Sequence, residues 1–359
     1  FNVKTFITHF VLLMSTVLSP LSAFDIENLP VQSEGRIKPL DTFARNHLLR
    51  FYGKREVKEH QLKATDWLLD LILDPENGRD LKIFNIRNPE VVSSLFLDWT
   101  TDHKYSYNEI IHGLKNQLDL INAIDQKDNL DRSAFEKQLI ELSQNAIIFE
   151  ELIYMKNIKL IPPGLLDENA VWQSPYDFII SGVTPAYHQE EILNSLQKYL
   201  AARFQKNKSE MNSALKSYER VTSELPMSSL DLKKLKDETW MNEIDLFVKS
   251  LAFYILSFLL IGISWMVKPT FFRNVSYLSL IIGFLIHGYG ILLRMQIMGR
   301  PPVSTLYESV IFVSFILLLL AVTLEYFRSD GLGVFIGSVG GSILHFVGFS
   351  YAADGDTLG

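Results

Sequence analysis

Hydrophobic and polar positions divide the chain into two regions of different character. Residues 25–245 mix charged, polar and apolar positions, whereas residues 246–352 are almost continuously apolar and are interrupted only by short polar gaps. A long apolar run is not stable in water, and about 20 such residues cross the hydrocarbon core of a bilayer. The pattern therefore predicts a mainly α, polytopic helical membrane protein whose membrane helices occupy approximately residues 246–267, 275–293, 308–324 and 332–350.

Residues 1–24 contain one further apolar stretch. Lys4 precedes it, and the small residues Ser22 and Ala23 near its end resemble a signal-peptidase cleavage site. The segment is interpreted as a signal peptide or, alternatively, as a retained membrane anchor. Both alternatives place residues 25–245 outside the cytoplasm.

Residues 25–245 are predicted to form a large, mostly helical extracytoplasmic domain. Apolar residues recur there at intervals of three and four, which is typical of amphipathic helices, over residues 110–121, 139–148 and 192–204. Proline- and glycine-containing breaks at residues 74–78, 161–164 and 225–226 indicate two subdomains, at approximately 25–160 and 165–245.

Composition narrows the functional classes. A formal net charge of −7 argues against a nucleic-acid-binding protein. The absence of cysteine excludes disulfides, thiolate metal ligands, thiol catalysis and a c-type haem attached to this chain. The sequence contains no nucleophile elbow, P-loop, dinucleotide fingerprint or zinc-protease motif, so no catalytic residue is assigned. Since the chain begins with Phe1 and ends shortly after a predicted span, we expect it to be part of a longer reading frame.

The second predicted span contains a histidine on a stripe of small residues. Gly283, His287, Gly290 and Arg294 follow one another at intervals of three and four, so they share one helix face. A neutral imidazole can bind a metal, and an arginine two turns closer to the surface can pair with a carboxylate. The glycines leave space either for a flat ligand or for a close helix. The alternative role of His287 is a hydrogen bond to another helix.

The fourth predicted span repeats this arrangement. Gly333, Gly337 and Gly341 form a small-residue series, and His345 and Gly348 continue the same face. Small residues at this spacing allow a neighbouring helix to approach closely, which is the simplest role for them. The histidine on this stripe must face the bundle and not lipid. Both intramembrane histidines are candidate metal ligands, and the sequence leaves the distance between them open.

The loop between the second and third spans carries an unusual number of charges. In the predicted orientation Arg294 and Arg300 lie on the outer side, against the preference of basic residues for the cytoplasm. An anionic ligand is one reason for such an exception. Ser304 or Thr305 is expected to cap the next helix, with Glu308 in its first turn, where a carboxylate complements the helix dipole.

The run from His287 to Ser309 resembles a known family. It reads HGYGILLR over residues 287–294 and GRPPVSTLYES over residues 299–309. This is similar to the start of the CcsA/ResC membrane proteins of system II cytochrome c biogenesis, part of the haem-handling superfamily that also contains the CcmC and CcmF proteins. Residues 29–45 resemble the extracytoplasmic domain attached to such proteins in some bacteria.

The resemblance implies that the protein brings haem b to the outer face of a bacterial inner membrane and supports its attachment to apocytochrome c. It also implies a ResB/CcsB-like membrane partner, separate or fused. The tryptophan-rich WxWD segment with which the family holds haem is missing from this chain, so the match covers only the start of the assembly domain. The candidate haem-binding residues carried over are His287, Arg294, Arg300, Tyr307, Glu308 and His345.

Two other functions stay open at this point. One is a membrane-anchored assembly or sensor protein, in which the spans form only a packed anchor. The other is a transporter of another small anion, for which Arg294 and Arg300 would form the entry site. The first alternative predicts that the protein purified from haem-replete cells is colourless, and a longer reading frame with a histidine-flanked WxWD segment would exclude both.

Overall fold

The computed structural model describes residues 24–57, 61–163, 171–225, 230–352, 355 and 357–358. The predicted signal peptide or anchor thus lies outside the described residues, except for its last residue. The described chain is mainly helical and divides into two compact units, residues 24–232 and 233–358, called here the N-terminal and C-terminal units. The boundary precedes the expected one at 245/246 because Met241 packs with Leu246 and Leu293 of the following helices.

Helices dominate the N-terminal unit. They are α1 (Leu40–Tyr52), α2 (Ala64–Leu73), α3 (Pro75–Asp80), α4 (Pro89–Ser94), α5 (Tyr107–Asn116), α6 (Leu118–Asp125), α7 (Ala134–Ile153), α8 (Pro175–Ser181), α9 (Tyr187–Phe204) and α10 (Lys208–Ser223). The strands of the described residues form antiparallel pairs, β1 (Pro30–Ser33) with β2 (Arg36–Pro39), β3 (Glu56–Val57) with β4 (Leu62–Lys63), and β5 (Phe84–Asn85) with β6 (Lys104–Tyr105). These short pairs connect helices and do not form a sheet layer.

The β1–β2 hairpin introduces the first helix. Its two-residue turn, Glu34 and Gly35, has φ values of 51° and 79°, which match the right-handed twist of the flanking strands. The Leu40 N–H donates to the Leu29 carbonyl oxygen at 2.8 Å. The hairpin is thereby fixed against the start of α1.

One hydrophobic core extends through the N-terminal unit. Its centre includes the rings of Phe51, Phe84 and Phe149. The centroid of the Phe84 ring lies 5.6 Å from that of Phe51 and 5.3 Å from that of Phe149. Aromatic pairs at such distances stabilise a core beyond the area that they bury. The same core continues to Ile192 and Val221, so residues from both expected subdomains pack around it.

Several details of the N-terminal unit differ from the predicted periodicity, and two residues of the predicted repeats, Leu118 and Ile147, are 52% and 58% exposed. The apolar repeat over residues 110–121 is two helices, α5 and α6, separated at Gln117, whose side chain donates to the Ser94 carbonyl oxygen at 3.0 Å. Phe204, predicted on the buried face of its helix, is 73% exposed because it is the last residue of α9, beyond the core contacts of Tyr199. Periodicity identifies the helical face but not where the core ends.

The C-terminal unit is a helical bundle. Its helices are α11 (Leu232–Ile244), α12 (Leu246–Ser264), α13 (Pro269–Met298), α14 (Leu306–Arg328) and α15 (Leu332–Ala352). Four stretches are long and apolar enough to cross a membrane, namely Leu232–Ser264, Pro269–Met298, Leu306–Arg328 and Leu332–Ala352. They overlap the four predicted spans and indicate a membrane protein. Within the first stretch, Asp245, with a φ of 54°, separates α11 from α12.

Small and hydroxylated residues allow the bundle helices to approach closely. A Cβ at Gly333 would lie 2.5 Å from the Ala321 carbonyl oxygen, so only glycine permits α15 to pack there against α14. Between α12 and α13, the Ser257 hydroxyl donates to the Ser276 carbonyl oxygen at 2.9 Å, and Ser276 donates back to Ser257. Such interhelical contacts hold helices together in lipid, where apolar burial alone does not.

The connection between α13 and α14 is sharply defined. Gly299, with a φ of 66°, ends α13. Of the two predicted caps, Thr305 is the one observed, because its hydroxyl accepts the Glu308 N–H at 3.2 Å. This connection brings Arg294 and Glu308 to the same end of the bundle.

Candidate functional site

The two intramembrane histidines meet inside the C-terminal unit. His287 of α13 and His345 of α15 are both fully buried, at 0% exposure. Their ring centroids are 4.7 Å apart and the ring planes are nearly perpendicular, at 81°. The glycine stripes that carry them therefore face one another, and the two rings form one polar layer within an apolar bundle.

Both ring nitrogens of His345 have partners. Its Nδ1 lies 2.8 Å from the Gly341 carbonyl oxygen, which can only accept, so Nδ1 carries the proton. In the neutral ring Nε2 is then an acceptor, and it lies 3.1 Å from the Ser250 hydroxyl. The Ser250 hydroxyl also lies 2.9 Å from the Phe247 carbonyl oxygen, so its one proton serves either that carbonyl or Nε2.

His287 has a free nitrogen. Its Nδ1 lies 3.1 Å from the Tyr254 hydroxyl. Its buried Nε2 has no hydrogen-bond partner among the described residues, although the Ile311 backbone interacts with the ring. If Nδ1–H donates to the tyrosine oxygen, Nε2 presents its lone pair, the form of imidazole that binds a metal. A buried polar atom without a partner is costly and rare, so Nε2 is the ring nitrogen that an additional ligand could engage.

Aromatic rings fill the space around His287. The rings of Phe247 and Phe315 each lie 5.7 Å from its centroid. A Cβ at Gly283 would lie 2.6 Å from Tyr254, so in this conformation the glycine stripe receives a close helix and not a flat ligand. A porphyrin reaches Nε2 only if Phe247 and Phe315 move aside. Across the described residues, no group of three or more His, Cys, Asp or Glu side chains converges on one point.

A second polar layer lies two helical turns along α13. Arg294 is seven residues after His287, about 10 Å along the axis and on the same stripe. Its guanidinium is 3.2 Å from Glu308 Oε1 and also donates to the hydroxyl and the carbonyl oxygen of Thr357. The Tyr307 ring faces the guanidinium, and its centroid lies 4.9 Å from Arg294 Cζ. Three of the candidate residues therefore form one cluster.

This ion pair is almost entirely removed from water. The side chains of Arg294 and Glu308 are 4% and 2% exposed. Glu308 is also fixed by the Ser304 N–H, which donates to Oε2 at 3.1 Å. Arg294 Nε makes no hydrogen bond within the described part of the chain. The cluster thus keeps one buried, charge-bearing donor available for an anion.

Arg300 lies in the turn after α13, where it is half-buried. Sequence reasoning did not identify Ser250, Tyr254 or Thr357, the partners of the candidate side chains. The first two were detectable, since Ser250, Tyr254 and Ser257 form a polar stripe in an otherwise apolar helix. Thr357 follows the last helix, and no periodic pattern points to it.

Comparison with known proteins gives no match, either to a protein-family model or to a curated protein. The motif over residues 287–309 and the geometry of the two layers are therefore the grounds for a functional proposal.

Proposed function

We propose that the protein handles haem in a membrane and supports its covalent attachment to apocytochrome c, as the CcsA/ResC proteins that it resembles do. One observation carries this proposal. Two buried nitrogens without partners, His287 Nε2 and Arg294 Nε, lie two turns apart on one face of α13. An imidazole nitrogen such as His287 Nε2 can bind the haem iron. A guanidinium nitrogen such as Arg294 Nε can pair with a haem propionate.

Each residue then has a defined task toward the haem that is moved. His287 ligates the iron from within the bundle, oriented by the Tyr254 hydroxyl. Arg294 takes a propionate at its unpartnered Nε, while Glu308 holds the guanidinium in position. Arg300, in the turn that follows, adds a second positive charge for the other propionate.

Haem entry requires the bundle to open. Because Phe247 and Phe315 pack against His287, the cargo separates α12 and α14 from α13 as it binds. Tight aromatic packing around an unsatisfied nitrogen fits a transit site, which closes when no cargo is present. A site for a permanent cofactor would keep its cavity.

The proposed setting is the bacterial inner membrane, with residues 25–245 on the outer side beside apocytochrome c. A ResB/CcsB-like protein, separate or fused, is the proposed membrane partner. In this arrangement the N-terminal unit docks or protects the partners. Deletion of residues 25–245 with undiminished cytochrome c maturation would refute that role.

Complementation tests the proposed function. In cells that lack their own system II haem-ligation protein, the protein should restore covalent haem on a reporter c-type cytochrome, and His287→Ala should abolish it. Ser342→Ala is the matched control, since its hydroxyl bonds only within its own helix and should leave maturation intact. Colourless protein from haem-replete cells, with no maturation, would favour the anchor or the transporter.

The charge requirement has its own test. Arg300→Glu should weaken haem retention more than Arg300→Lys, because a propionate is repelled by the first change and still attracted by the second. The readout is haem absorbance per protein after purification. Equal losses for the two variants would assign Arg300 to packing of the turn.

A further inference from the structure

A cavity of about 690 Å³ opens at the other end of the bundle from the Arg294–Glu308 pair. It lies between the first turns of α13 and the last turns of α14. Its wall residues combine apolar, aromatic and cationic side chains, principally Phe271, Arg273, Tyr277, Leu278, Ile281 and Tyr326. None of them belongs to the proposed haem site.

Arg273 brings an uncompensated charge to this cavity. Within the described ranges it has neither a hydrogen-bond nor an ion-pair partner. Its Cδ would lie 3.7 Å from a Cβ at Gly331, so the aliphatic part packs against the turn between α14 and α15. Arg328, at the same end of the bundle, is by contrast 2.8 Å from Asp330. Of these two arginines, Arg273 is the one without an ion pair among the described residues.

Among the described residues, the carboxylate that lines the cavity is Glu325, and it forms no ion pair with Arg273. Both oxygens of Glu325 accept the Gly331 N–H at 3.0 Å, and the residue is only 3% exposed. Its charge is directed into the turn that it stabilises. The hydroxyl of Tyr277 is likewise engaged, donating to the Val322 carbonyl oxygen at 3.1 Å.

The position of Arg273 along α13 indicates how deep the cavity lies in the membrane. Arg273 and Arg294 are 21 residues apart on α13, or about 32 Å, close to the ~30 Å thickness of a bilayer core. If Arg294 is near one membrane surface, Arg273 is at the headgroup level of the other. Trp265, 66% exposed just before α13, is the kind of aromatic residue found at that level.

We propose that this cavity binds an anionic phospholipid, with its phosphate on Arg273 and an acyl chain against Leu278 and Ile281. Positive charge, apolar walls and headgroup depth together select a lipid of this class over a zwitterionic lipid or a soluble anion. The proposal is independent of haem, because it uses other residues at the opposite end of the bundle.

Native mass spectrometry of the full chain, released from nanodiscs of mixed phosphatidylglycerol and phosphatidylcholine, tests the proposal. The wild type should retain one phosphatidylglycerol in preference to phosphatidylcholine. Arg273→Gln should reduce that retention about fivefold, the effect of one basic residue at a membrane surface. Arg328→Gln is the matched control, since it removes the same charge from the same end but from a paired residue, and it should retain the lipid.

A second variant separates binding from folding. Leu278→Trp keeps the charge but fills the cavity, and it should lose the lipid while its elution profile stays that of the wild type. Equal loss in Arg273→Gln and Arg328→Gln would overturn the proposal. So would displacement of the lipid by millimolar inorganic phosphate, or a wild-type protein that retains no phosphatidylglycerol.

Discussion

The two units use arginine–carboxylate pairs in opposite surroundings. In the N-terminal unit, Arg203 bridges Asp66 at 3.1 Å and Asp70 at 2.8 Å, and these carboxylates are 43% and 54% exposed. In the C-terminal unit, Arg294 and Glu308 pair at a similar 3.2 Å but with 4% and 2% exposure. Water screens the first pair, whereas the second has lost its hydration and depends on its partners. The two pairs have similar distances, but removing one member should destabilise the protein much more in the buried pair than in the exposed one.

That difference bears on function. A buried pair is weak evidence for stability, because the cost of removing two charges from water offsets their attraction. Charge kept inside an apolar bundle therefore needs another reason, and the binding of an anion is the one that the free Arg294 Nε supports. The pair in the N-terminal unit needs no such reason, since exposed pairs are ordinary features of a protein surface.

The largest effect is expected from Glu308→Gln. This change leaves the Arg294 guanidinium buried without its counter-charge and should destabilise the C-terminal unit by about 3–5 kcal/mol. Thermal unfolding of the detergent-solubilised protein, followed through the helical signal, measures the loss. A change below about 1 kcal/mol would show that water reaches the pair and that the contrast with the N-terminal unit is false.

The next effect tests how tightly the histidine layer is packed. Gly283→Ala places a Cβ 2.6 Å from Tyr254, so it should cost about 1–3 kcal/mol and disturb the contact with His287. Gly262→Ala, in the neighbouring membrane helix, meets no atom within 4 Å and should be neutral or slightly stabilising. Equal unfolding temperatures for the two variants would contradict a filled layer.

In the N-terminal unit, acid should act through His47. Its Nδ1–H donates to the Phe43 carbonyl oxygen at 2.9 Å, and burial lowers the pKa of His47 to about 4 from an ordinary 6.5. Because the unfolded chain binds this proton near pH 6.5 and the folded chain only near pH 4, stability is complete above pH 6.5. It should decrease as the pH falls from 6.5 toward 4.

Hydrogen exchange of α1 between pH 7 and pH 4.5, corrected for the intrinsic exchange rate, measures this dependence. His47→Gln removes the titrating group and should flatten the pH profile of α1. An unchanged profile in that variant would mean that other groups in the N-terminal unit control its acid response.

The smallest effect is expected from Asp70→Asn. It removes one exposed carboxylate from Arg203, which keeps Asp66, and should change stability by less than about 1 kcal/mol. High salt should reduce even this difference, whereas Glu308→Gln should respond little to salt. Similar salt dependence of the two variants would contradict the difference in burial on which the comparison depends.

Local sequence patterns predict much of the C-terminal unit. The four apolar stretches, the helix cap at Thr305 or its neighbour, and the direction of the His287 and His345 stripes toward the bundle follow from local rules of length, capping and periodicity. These rules operate within one helix, so they need no knowledge of which helices are neighbours.

The partners of the candidate side chains could not be predicted in the same way. Whether Ser250 engages His345, or Tyr254 engages His287, depends on the rotation and depth of α12 relative to α13 and α15. Arg294 contacts Thr357, which lies 63 residues later in the chain. The difference between one satisfied and one unsatisfied histidine is therefore visible only in three dimensions.

Haem titration of the purified full-length protein, compared for His287→Ala and His345→Ala, tests the central claim most directly. His287 Nε2 is the proposed iron ligand, since it has no hydrogen-bond partner among the described residues, whereas the His345 nitrogens lie against the Gly341 carbonyl oxygen and the Ser250 hydroxyl. His287→Ala should therefore abolish the absorption spectrum of histidine-ligated haem, and His345→Ala should retain it. Identical spectra for the two variants, or a wild type that binds no haem, would contradict the account.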